Sequence, residues 1–283
     1  DAVLQATGPT SGTYMRIKMG AKKDGTITAA ECELKYQAGA FQGSPVQPGA
    51  MCAFAPYDLQ NVKAVGYDVV TNRPKVAAYR APGAPISEFG VECVVDELAK
   101  KLNIDPIDIR LKNAAKEGTK AAYGPKFGPI GMVESLEQAK AHSHYSAPLG
   151  PNQGRGVASG FWFNIGGQTC ITMNINEDGT VALLTGTPDI GGSRASLSMM
   201  AAEELGIDVD KVRPMLADTA SLPYTFLTGG SRATFAGTTA IIHAAEDAIT
   251  KMRERVAQIW EVSADEVVWE NGEARPASTN VGD

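Results

Sequence analysis

Two short stretches of this chain read almost alike: Gly191-Gly192-Ser193-Arg194 and Gly229-Gly230-Ser231-Arg232. Each precedes apolar residues at helical spacing, Leu197, Met200, Ala201, Ala202 and Leu205 after the first, and Ile241, Ala245, Ala248, Ile249, Met252, Val256 and Ile259 after the second. Where a glycine turn feeds a helix, the first backbone N–H groups have no intrahelical partner and point at whatever lies in front of them. Such a mouth suits a phosphate. One Gly-Gly turn alone serves equally well to reverse the chain, since Gly-Gly-Ser matches neither the dinucleotide fingerprint nor the P-loop. Two of them, each with an arginine, would clasp one long anion from two sides. The competing interpretation is that both arginines face solvent.

A further cation, Arg80, sits in residues 77–85 (AAYRAPGAP), a run of small residues with two prolines that cannot donate backbone hydrogen bonds. Its guanidinium stays charged at any pH of interest and must meet solvent, a carboxylate or a bound anion. It either serves a ligand or ties its turn to a nearby acid. Other chemistry is thinly supplied. Cys32, Cys52, Cys93 and Cys170 lie far apart with no C-x-x-C and read as small buried hydrophobes. His142, His144 and His243 have no Asp, Glu or Cys completing a ligand spacing, so no metal site of side chains is expected. No nucleophile elbow supports a serine hydrolase.

The elements that would position these residues follow from periodicity. Residues 14–19 and 26–36 flank Lys22-Lys23-Asp24-Gly25, and an Asp-Gly between two such runs predicts a hairpin. Residues 38–56 are too rich in Gly, Pro and Ala to predict helix or strand, whereas 62–71 predict a strand. A helix is expected over 86–102, with Val91, Val94, Val95, Leu98 and Leu102 on one face and Glu88, Glu92, Asp96 and Lys100 on the other. Asp105-Pro106 starts a second short helix, and 132–142 form a third. Strands are expected over 155–163, 168–176 and 180–184, then the first Gly-Ser-Arg helix ending at Gly206, a strand at 212–216, and a long helix running to Trp260. A last strand over 267–269 precedes Asn271-Gly272 and a polar end. The pattern I-D-x-x-x-[IV]-R, at 104–110 and 207–213 with a looser copy at 262–268, marks a recurring helix-turn unit. Hairpins with helices packed on them predict an α+β fold, and the Pro/Gly-rich stretch at 146–154 divides it into subdomains 1–145 and 146–283.

At 283 residues the chain is long enough for a sizeable core. A net charge of −6 argues against nucleic acid or an anionic membrane as the main partner, no apolar run approaches a membrane span, and a cytoplasmic protein is expected. The abrupt start, without an initiating Met, suggests a piece of a longer polypeptide.

In order along the chain, Thr7-Gly8, Lys22-Lys23-Asp24-Gly25, Ala78-Tyr79-Arg80-Ala81-Pro82-Gly83, Asp105-Pro106, Arg110, Gly154-Arg155-Gly156, Asp189-Ile190-Gly191, Ala201-Ala202-Glu203-Glu204-Leu205-Gly206, Asp218-Thr219 and Gly230-Ser231-Arg232 resemble the molybdenum-binding subunit of the xanthine dehydrogenase and aldehyde oxidase family. The resemblance implies oxidative hydroxylation of an aldehyde or N-heterocycle at a molybdenum held by molybdopterin, in its cytosine dinucleotide form, with electrons leaving through iron–sulfur and FAD partners. It implies that Arg80 lies near metal and substrate. It also implies that Gly191, Gly192 and Ser193, with Gly229, Gly230, Ser231 and Arg232, hold the pterin and its pyrophosphate, and that Phe161 and Trp162 line the substrate pocket. Gly192 stands where the family commonly has Gln, and Ala81 where carbon monoxide dehydrogenases carry Cys. The family's upstream Phe loop and downstream catalytic Glu fall outside the chain, so the piece alone is expected to bind no molybdenum and turn over nothing. The alternative is a non-catalytic binding or assembly module on the same scaffold.

Overall fold

Strand β1 (Thr13–Ala21) and strand β2 (Ile27–Gly39) pair antiparallel, following a short helix α1 (Ala2–Ala6). Gly25, at φ 86°, and the Asp24 carboxylate, which accepts the Thr26 N–H at 3.0 Å, close the turn between them. The computed structural model describes residues 2–6 and 8–278, so Thr7 and the polar end at 279–283 lie outside it. Contacts divide the chain into two units, Asp1–Phe163 and Asn164–Asp283, with the Pro/Gly-rich stretch inside the first.

In the first unit a helix, α2 (Val46–Cys52), leads to strand β3 (Val62–Val70), which pairs parallel with β2. The sequence of 38–56 predicts no helix; α2 forms because packing supplies what propensity lacks. It buries Val46, Gly49 and Cys52, and a Cβ at Gly49 would come within 3.0 Å of both the Tyr36 hydroxyl and the Gly83 carbonyl. Helix α3 (Ala84–Leu102) covers the sheet, and Leu34, Tyr36, Phe54, Val91 and Val95 are at or below 1% exposure in the shared core. Helix α4 (Pro106–Asn113) is capped by Asp105, whose Oδ1 accepts from Ile107 N at 2.8 Å and Asp108 N at 3.2 Å. Helices α5 (Met132–Ala141) and α6 (Ser143–Ser146) follow.

The strand expected over 155–163 does not form. Its backbone bonds go to side chains of α3: Ser159 N–H donates to Glu92 Oε2 at 2.6 Å and Phe161 N–H to Glu88 Oε1 at 2.7 Å. The face of α3 opposite its apolar one therefore carries two acids turned inward, Glu92 buried and Glu88 half-buried.

The second unit repeats the plan. Strands β4 (Ile171–Ile175) and β5 (Val181–Thr185) form a hairpin, helix α7 (Ser193–Leu205) crosses over, and strand β6 (Val212–Leu216) pairs parallel with β5. Helix α8 (Ala233–Trp260) then packs on β4, as α3 packs on β1. Ile259 is exposed rather than inward, and Ala257 is the buried residue of that last stretch. A closing hairpin of β7 (Val267–Glu270) and β8 (Glu273–Pro276) occupies part of the stretch read as a polar end.

The sequence echo is a shared helix ending. Asn103, Gly206 and Glu261 all take the left-handed conformation, and the next amide reaches back in the same way: Ile104 N to Ala99 O, Ile207 N to Ala202 O and Val262 N to Ala257 O. The three helices thus end in the same left-handed turn.

Candidate functional site

The first Gly-Ser-Arg loop leaves β5 and turns through Gly191 at φ 72° and Gly192 at φ 105°, conformations that disfavour any Cβ even though open space surrounds both positions. The amino end of α7 already holds an anion, and it is the chain's own. Asp189 Oδ1 accepts from Gly192 N at 2.9 Å and lies 3.2 Å from Ser193 Oγ and 3.5 Å from Arg194 N. The Gly192 N–H, with the Arg194 N–H, Ser193 hydroxyl and Arg194 charge, holds the Asp189 carboxyl below its usual range. Arg194 stays exposed, with Nε 3.9 Å from Asp189 Oδ2.

The second loop is built differently. Gly230 takes φ 66°, and a Cβ there would press on the Ile165 side chain, 2.8 Å from its Cβ, so glycine is favoured. Ser231 takes φ 60° with its side chain exposed, and the amides of Gly229, Gly230 and Ser231 have no hydrogen-bond partner among the described residues. Arg232 neither faces solvent nor stands free for an anion: it is 1% exposed. Its guanidinium donates to the carbonyls of Gly166, Gln168 (2.7 Å), Phe226 (2.9 Å) and Leu227 (3.2 Å) and to Thr169 Oγ1 (2.5 Å). It seams residues 166–169 to 226–227 and so sets the shape of the loop that ends in it.

The two loops open at the same end of the second unit. Leu197 of α7 lies against Gly237 of α8, where a Cβ would be 2.8 Å from Leu197 Cδ2, and Met200 Sδ is 2.6 Å from Thr238 Oγ1. Farther along, Ile241 shares a buried cluster with Leu197 and Ala201, and Ala245 shares the next one with Leu205. Contacts that advance in step along both helices mean that α7 and α8 run parallel, with their amino ends side by side. The two helix amino ends, each with its glycine turn, therefore lie on one face of the second unit.

Arg80 belongs to the first unit. It is exposed, has no hydrogen-bond or ion-pair partner among the described residues, and precedes the strained Ala81 (φ 51°) and Gly83 (φ 85°), at which a Cβ would strike Pro45 O at 2.0 Å. Phe161 lies among aromatic rings, 5.3 Å from Phe127 and 6.0 Å from Tyr123, on the wall of an apolar cleft of about 490 Å³. Trp162 stacks on Phe163 at 4.5 Å. Of the four cysteines, Cys32 and Cys52 are buried, their thiols pushed up to about 11 and about 12 by desolvation, whereas Cys93 and Cys170 are exposed.

Sequence periodicity missed a buried ionic cluster in this unit. Arg110, fully buried, pairs with Glu92 and with Asp96, both at 2.8 Å, and the Tyr57 hydroxyl also donates to Glu92. The signal was present: Glu88, Glu92 and Asp96 share one helical stripe, and Arg110 ends the first copy of the echoed motif.

Glu88 offers a test of this arrangement. Burial pushes its carboxyl up to about 7, against the pull of the Phe161 N–H and with a further push from Glu92. A carboxyl raised on folding binds its proton more tightly in the folded chain. Its stabilising contribution is full below the ordinary value of 4.5 and is lost as pH rises through about 7. Glu88→Gln, which keeps an acceptor for Phe161 N–H, is expected to flatten the decline of melting temperature across that window. Identical slopes for variant and parent, measured by calorimetry, would remove Glu88 from the account.

Among the described residues no three His, Cys, Asp or Glu side chains gather to hold a metal, and no helix is long and apolar enough to cross a membrane. Family models described as molybdopterin cofactor-binding domain match residues 1–114 and 134–282. The aldehyde oxidoreductase of Megalodesulfovibrio gigas is 30% identical over 81% of this chain, which spans 27% of that protein. The xanthine dehydrogenase molybdenum-binding subunit of Escherichia coli O157:H7 is 29% identical over 69% of this chain and 28% of its own length. The large molybdopterin subunit of nicotinate dehydrogenase from Eubacterium barkeri is 35% identical over 44% of this chain and 31% of that one. Among solved structures, the aldehyde oxidoreductase of Desulfovibrio desulfuricans superposes with a TM-score of 0.76 at 25% identity, over 96% of this chain and 34% of that one. A Cu,Mo-CO dehydrogenase shares the fold at TM-score 0.77 and 21% identity, over 96% of this chain and 39% of its own.

Proposed function

The chain belongs to the molybdopterin cofactor-binding domain family, and from that premise we propose that it is part of the catalytic subunit of a molybdenum hydroxylase acting on an aldehyde or N-heterocycle. The observation that carries this is the pair of glycine mouths at the shared amino end of α7 and α8. An extended pyrophosphate-linked cofactor, the cytosine dinucleotide form of molybdopterin, suits two mouths better than one.

Gly229, Gly230 and Ser231 contribute open amides and a hydroxyl, and Arg232 holds their shape from behind. Gly191, Gly192 and Ser193 contribute the second mouth, where a phosphate would have to displace the Asp189 carboxylate from the Gly192 and Arg194 amides. When bound, the cofactor would supply molybdenum on a pterin dithiolene. Arg80, exposed and unpartnered among the described residues, is assigned to the anion that develops on the substrate, and Phe161 and Trp162 to the pocket wall. Iron–sulfur and FAD partners and a cytoplasmic setting go with this function.

Metal and pterin analysis tests it. The longer subunit carrying these residues is expected to hold one molybdenum and one pterin, and the 283-residue chain alone neither. A longer subunit free of both would favour an assembly module on the same scaffold, and stoichiometric molybdenum in the chain alone would contradict the division of labour.

A further inference from the structure

The first unit has a second cleft, of about 770 Å³, bounded by α5, α6 and residues 149–158. Its size falls within the range of small-molecule sites. Leu149 and Val157 form apolar walls with the buried Ile107 behind them, and His142, His144 and Arg155 bring nitrogen donors to it. It uses none of the residues assigned to the cofactor.

Arg155 is held in place without being neutralised. Its Nη2 donates to Ala147 O at 2.7 Å, and its guanidinium lies 5.9 Å from the centroid of the Tyr145 ring. Tyr145 is itself fixed by a 2.9 Å bond from its hydroxyl to Asp105 Oδ2. Arg155 Nε is buried with no partner, and Arg155 has no carboxylate partner among the described residues. The nearby acids are engaged elsewhere: Asp105 caps α4 and holds Tyr145, and Asp108 pairs with Lys140. His142 Nδ1 accepts the His144 amide at 3.1 Å, which places the proton of a neutral ring on Nε2 as a donor. With Nη2 on Ala147 O and Nε buried, Nη1 is the donor left accessible, on a pre-positioned guanidinium without a carboxylate partner among the described residues.

We propose that this cleft binds a small organic anion, a carboxylate on a flat apolar body, with Arg155 holding the carboxylate and Leu149 and Val157 receiving the body. Benzoate is the probe, titrated into the 283-residue chain and followed by amide chemical shifts and calorimetry. Saturable shifts centred on residues 142–158 are expected, with acetate about tenfold weaker for want of an apolar body. Arg155→Gln should weaken benzoate by about tenfold or more. Leu149, at 48% exposure, tolerates change, so Leu149→Asp should also weaken binding and decides the matter if the Arg155 variant does not fold. Absence of saturable shifts, shifts centred elsewhere, or undiminished affinity in the folded variants would overturn the proposal.

Discussion

Arg232→Met is expected to destabilise the second unit by about 3–5 kcal/mol, because several buried neutral acceptors lose one shared charged donor. Methionine has nearly the length of the arginine stem but none of its donors. The carbonyls of Gly166, Gln168, Phe226 and Leu227 and the Thr169 hydroxyl would lose their common partner inside a site that is 1% exposed. Each unsatisfied buried group costs on the order of 1–3 kcal/mol, so relaxation and water must recover part of the sum to bring the total into that range. Arg232→Lys should recover little, because one ammonium cannot reach acceptors spread around a planar fork. Chemical unfolding of both variants, followed by far-ultraviolet circular dichroism, measures the effect. A loss below about 1 kcal/mol would mean that water replaces the guanidinium freely.

The backbone consequence matters more than the stability. With residues 166–169 and 226–227 unseamed, the segment entering α8 loses the bonds that fix its course, and Gly229 to Ser231 lie in that segment. Arg232 thus acts on any ligand through the loop that it shapes.

Much of the fold was legible because local signals and tertiary packing agree. The Asp24-Gly25 and Asp178-Gly179 turns, the Asp105-Pro106 helix start and the Gly206 stop are each decided within a few residues. Helix α2 was not legible, because its sequence is poor in helix formers and only the cavity between β3 and α3 makes it fold. Residues 155–163 misled in the opposite direction. Their pattern suits a strand, but the bonding partners for Ser159 and Phe161 are carboxylates more than sixty positions earlier. The pair of Gly-Ser-Arg loops was visible as a pair; that one arginine is exposed and the other is a buried strut was not. Gly192-Ser193-Arg194 and Gly230-Ser231-Arg232 are the same letters. The difference lies in the carbonyls that surround the second arginine and not the first.

The central claim is that both mouths receive one phosphate-bearing ligand, and Ser231 is the place to challenge it. Its side chain is exposed and makes no hydrogen bond among the described residues, so Ser231→Asp should leave stability within about 0.5 kcal/mol while placing a carboxylate at the mouth. Like charge there should weaken phosphate binding by about tenfold or more at low salt. The direct measurement is a titration of the 283-residue chain with inorganic pyrophosphate, followed by the amide resonances of residues 191–194 and 229–232. Both loops should shift together along one binding curve, and Ser231→Asp should displace that curve for both. Shifts confined to one loop, or an unchanged curve in the variant, would contradict a shared anion site.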